Sequence, residues 1–137
     1  MTSTKSFDIT VSSTIENIGS DTEVTEISAA ATVRYGEGGT KISYRESDEG
    51  GDTQTVITVC ADSVTVARHG ALESVLVFRE GEVTTSIYAV GPYKFDAEIK
   101  TKKIRNSLSE LGGTLALYYN MTVGGAEKWI RMKICLS

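Results

Sequence analysis

From Tyr93 to Lys102 the chain reads Tyr-Lys-Phe-Asp-Ala-Glu-Ile-Lys-Thr-Lys, with an apolar or small residue at every odd position and a charge at every even one. Side chains alternate across a strand, so a period of two describes a strand with one buried and one wet face. The same alternation recurs from about residue 55 to the C-terminus, interrupted by glycine turns. It constrains architecture strongly and chemistry hardly at all.

Turn signals fall at Gly36-Glu37-Gly38-Gly39, Asp48-Glu49-Gly50-Gly51-Asp52, Ala61-Asp62, His69-Gly70, Glu80-Gly81, Gly91-Pro92, Gly112-Gly113 and Gly124-Gly125. Short strands separated by turns at such intervals read as a sandwich or barrel. The sole proline, Pro92, follows a glycine at a turn and so removes no donor from a central ladder. One segment differs: Ile104, Leu108 and Leu111 recur at helical intervals, which predicts a short helical turn near 104–111. The serine- and threonine-rich residues 1–20 are expected to hold one strand, Phe7 to Ile15, and otherwise to be loosely held.

Hairpin registers can be tested against burial, because a slip of one residue moves every apolar side chain into water. A two-residue turn at Gly124-Gly125 pairs Tyr119 with Ile130, Leu117 with Met132 and Leu115 with Ile134. One at Ala61-Asp62 pairs Val59 with Val64 and Ile57 with Val66. One at Glu80-Gly81 pairs Phe78 with Val83, Leu76 with Thr85 and Ser74 with Ile87. A three-residue loop, His69-Gly70-Ala71, keeps Val66 and Arg68 on the face of Leu72 and Leu76. The expected fold is all-β: a single-domain antiparallel up-and-down barrel of roughly eight to ten strands, closed so that no edge is left unpaired. At 137 residues the chain is long enough to bury such a core.

On an apolar inner face the polar members carry the information. The same registers place Glu46 opposite Thr55 and Thr55 opposite Arg68, about 10 Å between the charges across the threonine. A lone buried charge costs several kcal/mol, so the two are expected to pair. One reading makes them an internal ion pair closing a barrel end. The other makes Arg68 the anchor for an anionic head group, because its planar fork suits a carboxylate. Glu46, Thr55, Arg68, Ser74 and Tyr119 are the candidate ligand-binding residues.

Other chemistry is thinly represented. His69 is the only histidine and sits in a turn, a poor basis for acid–base catalysis. No nucleophile elbow, phosphate loop, zinc helix, dinucleotide fingerprint or calcium loop is present, so no catalytic residue, metal or cofactor is expected. Cys60 and Cys135 stand too far apart for a Cys-x-x-Cys motif and read as free thiols. No apolar run approaches the ~20 residues of a membrane helix. No cleaved secretion signal is expected either; the sequon Asn120-Met121-Thr122 then reads as accidental, and the location as cytoplasmic.

Charge is uneven: residues 1–62 hold eleven acids and four bases, residues 63–137 seven acids and ten bases. Because Lys94, Lys100 and Lys102 alternate with Asp96 and Glu98, this reads as a solvated outer face rather than a nucleic-acid site. Trp129 falls on that outer face beside the Tyr118–Arg131 pair. The expected function is thus a non-enzymatic barrel holding a small amphipathic or anionic ligand. The alternative is a structural or interaction protein working through its outer surface as a homodimer or adaptor; neither needs a membrane.

Tyr44-Arg45-Glu46, Arg68-His69-Gly70, Phe78 with Gly81, Tyr88 before Gly91-Pro92-Tyr93, Thr101, Gly112-Gly113 and Tyr118-Tyr119 together resemble the YwiB-like family. That family comprises small bacterial proteins of unknown function, and the likeness covers roughly residues 40–136. The resemblance implies a lipocalin- or calycin-like barrel and supplies no catalytic residues. The family's turn Tyr-x-Thr-Pro-Tyr-Gly is here Tyr88-Ala89-Val90-Gly91-Pro92-Tyr93-Lys94, without the threonine and with the glycine moved.

Overall fold

The alternation does close on itself. In the computed structural model, which describes residues 3–17, 22–48 and 51–137, ten antiparallel strands form a closed barrel. They are β1 (Ser3–Asn17), β2 (Thr22–Gly36), β3 (Gly39–Asp48), β4 (Gly51–Val59), β5 (Val64–Gly70), β6 (Leu72–Phe78), β7 (Val83–Val90), β8 (Tyr93–Asn106), β9 (Gly113–Val123) and β10 (Ala126–Leu136). Each pairs with the strands before and after it, and β10 returns to β1 with Ile9 opposite Leu136. Glu49 and Gly50 of the β3–β4 turn, and parts of the N-terminal segment, lie outside the described residues. No helix among the described residues is long and apolar enough to cross a membrane. Both cysteines are free thiols.

Inward side chains come from alternate positions of every strand. Ile9, Ile42, Ile57, Phe78, Ile99, Leu115, Leu117 and Ile134 are fully buried. The registers expected at Gly124-Gly125 and Ala61-Asp62 are found residue for residue. At β5–β6 the expected face is right but the pairing runs two residues further on, Arg68 opposite Ser74 and Val66 opposite Leu76.

The β6–β7 hairpin departs from expectation by one residue, which turns β7 over. Ser74 faces Tyr88 and Val75 faces Ile87, so Val83 and Ile87 are outside while Ser86 is buried. The β-turn at Glu80–Gly81 forms, with the Glu82 amide donating to the Arg79 carbonyl at 3.0 Å. However, the Gly81 amide donates to the Thr101 carbonyl and the Thr101 amide to the Glu82 carbonyl, tying the start of β7 to β8. Backbone pairing with β6 is confined to residues 72–75 and 87–90. Beyond them side chains substitute: the Val77 amide donates to Ser86 Oγ at 3.3 Å, and Thr84 Oγ1 donates to the Val77 carbonyl. Hydroxyls placed inside thus satisfy backbone groups that a ladder would have used.

No helical turn forms over 104–111. Ile104 continues β8, and the chain then folds through a tight loop in which the Ser109 amide donates to the Gly112 carbonyl at 2.8 Å. Asn106 Oδ1 accepts from the Leu108 amide, Ser109 Oγ from the Leu111 amide, and Leu111 is 91% exposed. Such local side-chain bonds compete with a helix, and the apolar spacing was coincidental. This loop covers one end of the barrel: Tyr35 donates its hydroxyl to the Ser109 carbonyl, and Leu108 and Phe7 pack on the core. The other end, with turns at Gly70–Ala71, Gly91–Pro92 and Gly124–Gly125, is the open one among the described residues; Phe95 there is 43% exposed.

Candidate functional site

Near the open end one row of inward residues crosses six strands. Tyr44 on β3 stands opposite Thr55, Thr55 opposite Arg68, Arg68 opposite Ser74, Ser74 opposite Tyr88 and Tyr88 opposite Phe95. Successive strands lie about 4.8 Å apart, so Arg68 has a hydroxyl side chain on each flank at strand spacing. From the other wall Tyr119 of β9 reaches across to Phe78, ring centroids 4.6 Å apart at 63°. Of the five expected site residues, Thr55, Arg68, Ser74 and Tyr119 therefore share one region.

Glu46 is displaced from it. Its partner is Thr53 rather than Thr55, one row nearer the rim, because Tyr44 takes the place opposite Thr55. That shift of two residues adds about 7 Å along the strands to the ~10 Å across them. Among the described residues the ion pairs are Lys5–Glu110 and His69–Glu73, and neither involves Glu46 or Arg68. The expected internal pair is absent for this geometric reason.

The site's polarity is one-sided. Thr55 Oγ1 and Ser74 Oγ, in residues 0% and 4% exposed, are buried without a hydrogen-bond partner. Leaving a buried polar group unsatisfied costs about 1–3 kcal/mol, so two beside one guanidinium call for an explanation. Burial pushes the Tyr44 phenol up to about 12; the Glu46 carboxylate within its reach adds to the shift, and Arg68 and the nearby Thr55 hydroxyl oppose it. Burial likewise raises Tyr119, Arg68 opposing and Tyr88 adding. Both phenols keep their protons at neutral pH. The hydroxyls flanking Arg68 and the two phenols are therefore able to donate, and the Glu46 carboxylate beside Tyr44 is the acceptor nearest to them.

Beside this row the open end holds a cavity of about 290 Å³ lined by Tyr88, Phe95, Met121, Val123, Ala126 and Lys128. Tyr88 belongs to both the cavity wall and the polar row. The barrel's middle is filled by Leu76, Phe78, Leu117 and Tyr119, which separates this cavity from a smaller one of about 180 Å³ beside the β4–β5 turn at the other end. Tyr44 and Tyr88 escaped the sequence reading. Tyr44 needed the β3–β4 register corrected by two residues, and Tyr88 needed β7 turned over.

His69 points outward and pairs with Glu73, Nδ1 to Oε1 at 2.6 Å, while the Gly70 amide donates to the same oxygen. The amide and then the imidazole hold the Glu73 carboxyl below its usual range. Both side chains are substantially exposed, and the cluster fastens the β5–β6 turn.

A family model described as "Domain of unknown function (DUF1934)" matches residues 9–134. The chain is 28% identical over 118 residues to the uncharacterized beta-barrel protein YwiB of Bacillus subtilis (strain 168), covering 86% of this chain and 82% of that protein. The crystal structure of the ywiB protein from Bacillus subtilis superposes with a TM-score of 0.89 at 25% identity, covering 98% of this chain and 92% of that one. The family likeness read from Tyr44 to Tyr119 is borne out, and so is the barrel it implied.

Proposed function

The chain belongs to the DUF1934 family, and from its own residues we propose that it is a non-catalytic binding module holding one small amphipathic anion in the open end of its barrel. The observation that carries this reading is the pair of unpartnered buried hydroxyls, Thr55 and Ser74, directly flanking Arg68. A carboxylate on the guanidinium accepts two parallel hydrogen bonds and leaves lone pairs for both hydroxyls. One ligand thus satisfies two hydroxyls and a guanidinium together.

The rest of the molecule would lie against Phe95, Met121, Val123 and the ring of Tyr88. At about 30 Å³ per water-sized atom, 290 Å³ suits a ligand of roughly ten non-hydrogen atoms. That is the small end of the usual range for ligand pockets. Lys128 at the cavity wall favours entry of an anion along β7–β10, whereas Glu46 on the β3 wall disfavours the opposite approach.

Native mass spectrometry of protein purified from its own cells tests the reading. It should show a single small-molecule adduct that is released as an acid and missing from the Arg68→Met variant. Adduct-free protein that also gains no thermal stability from small aromatic or aliphatic carboxylates would refute it.

A further inference from the structure

The outer face of the same barrel carries a second, separate feature. Three rows cross β8, β9 and β10: Lys100–Asn120–Trp129, Lys103–Tyr118–Arg131 and Arg105–Ala116–Lys133. Lys102 is the extra residue of a β-bulge between Thr101 and Lys103, and it stands beside these rows. Over residues 100–106, 114–120 and 129–135 the three strands contain six bases and no acid. The remainder of the chain has eight bases against eighteen acids. None of the six bases makes an ion pair among the described residues. Glu16 at the groove and Glu80, which accepts from the Ile104 amide, are the acids nearest to the six bases, and the excess of positive charge attracts an anion from outside.

Two aromatic rings lie within the cluster. Lys102 Nζ stands 4.4 Å over the Trp129 ring and the Arg131 guanidinium carbon 5.2 Å over that of Tyr118. Beside the bulge lies a groove of about 270 Å³ bordered by Thr14, Glu16, Lys102, Tyr118, Trp129 and Arg131. At its upper margin an acidic row, Glu98–Thr122–Glu127, ends the positive patch abruptly.

We propose that this face binds single-stranded nucleic acid, with phosphates on the lysines and arginines and bases stacking on Trp129 and Tyr118. Cations interleaved with aromatic rings on an open sheet are the chemistry by which single strands are held without sequence preference. A duplex hides the faces of its bases and would use only the charges. A second copy of the chain is a poorer fit. A two-fold interface sets the same patch against itself, bringing six positive charges onto six. The β8–β10 rows are about 7 Å apart, so the patch accommodates a few nucleotides rather than a long tract.

Trp129 is the only tryptophan, so its intrinsic fluorescence reports on the patch directly. Ten-nucleotide oligothymidylate titrated into the full chain should quench it saturably at low salt. Log K should fall against log salt with a slope of about −3 if some four phosphates are contacted. Lys102→Glu with Arg131→Glu should weaken binding at least tenfold, and Lys103→Glu alone should weaken it less. Lys41→Glu, on the outer face of β3, should leave it unchanged. Tyr118→Ala should weaken oligothymidylate more than inorganic polyphosphate. Absence of quenching at low salt would overturn the proposal. So would polyphosphate of equal charge binding as tightly with the same quench, or low-salt self-association in sedimentation that the double reversal abolishes.

Discussion

Arg68 stands directly opposite Ser74 across the β5–β6 pair, half-buried on the inner wall, and the serine hydroxyl beside it is buried with no partner. Thr55 repeats the relationship on the other flank. A positive group held between two idle hydroxyls is the core of the site, and its consequences for stability and binding can be separated.

Removing the charge should not unfold the protein. Since Arg68 has no ionic partner among the described residues, Arg68→Met should change unfolding free energy by no more than about 1 kcal/mol, in either direction. Urea unfolding checks this. A loss of about 3 kcal/mol or more would mean that the arginine neutralises a buried charge and that the site is a structural pair.

The β6–β7 seam should be sensitive to single hydroxyls. Thr84→Val leaves the Val77 carbonyl without its donor, and Ser86→Ala leaves the Val77 amide without its acceptor. Each should cost about 1–3 kcal/mol, measurable by guanidinium denaturation. Thr85→Val, on the outer face of the same strand, should cost far less.

Alkaline pH should weaken the fold through Tyr44. Its folded pKa is about 12 against 10.0 for the free group, so between those values the unfolded chain releases a proton that the folded one retains. The stabilisation is complete below pH 10 and is lost as pH rises through 12, about 2–3 kcal/mol in all. Tyr44→Phe should make this decline shallower between pH 10 and 12, what remains coming from the buried Tyr119; an unchanged slope would place the titration elsewhere.

Gly70 has φ of +137°, and a Cβ added there would run into the carbonyl oxygen of Asp52 across the β4–β5 pair. Gly70→Ala should cost more than about 1 kcal/mol and lower the melting temperature by several degrees. Gly81→Ala, with open space around its Cβ position, should cost less than Gly70→Ala.

Period-two patterning made the barrel legible wherever apolar residues filled the inner face. It did so for Leu115, Leu117 and Tyr119 against Ile134, Met132 and Ile130, because a slip of one residue would turn one strand's apolar side chains into water. It misled at β7, where Val83 and Ile87 are outside and Thr84 and Ser86 serve the backbone of β6. There the hydroxyls' hydrogen bonds outweighed the apolar alternation, and no pattern of hydrophobicity encodes that. At β3–β4 and β5–β6 only the pairing moved, by two residues, which preserves the face. Hence Thr55, Arg68 and Ser74 were identifiable, while Glu46 was assigned to the wrong row and Tyr44 was overlooked. The basic patch was hidden for another reason: it is assembled from three strands, and Asp96 and Glu98 mask it along β8 alone.

Isothermal titration of 3-phenylpropanoate and its neutral amide into the native protein and its Thr55→Val variant tests the central claim most directly. The account predicts that the acid binds at least tenfold more tightly than the amide. It also predicts that Thr55→Val melts no lower than the native protein, having lost an unpartnered buried hydroxyl, yet binds the acid at least fivefold more weakly. Equal affinity for acid and amide, or a Thr55→Val variant that is less stable but binds unchanged, would contradict it.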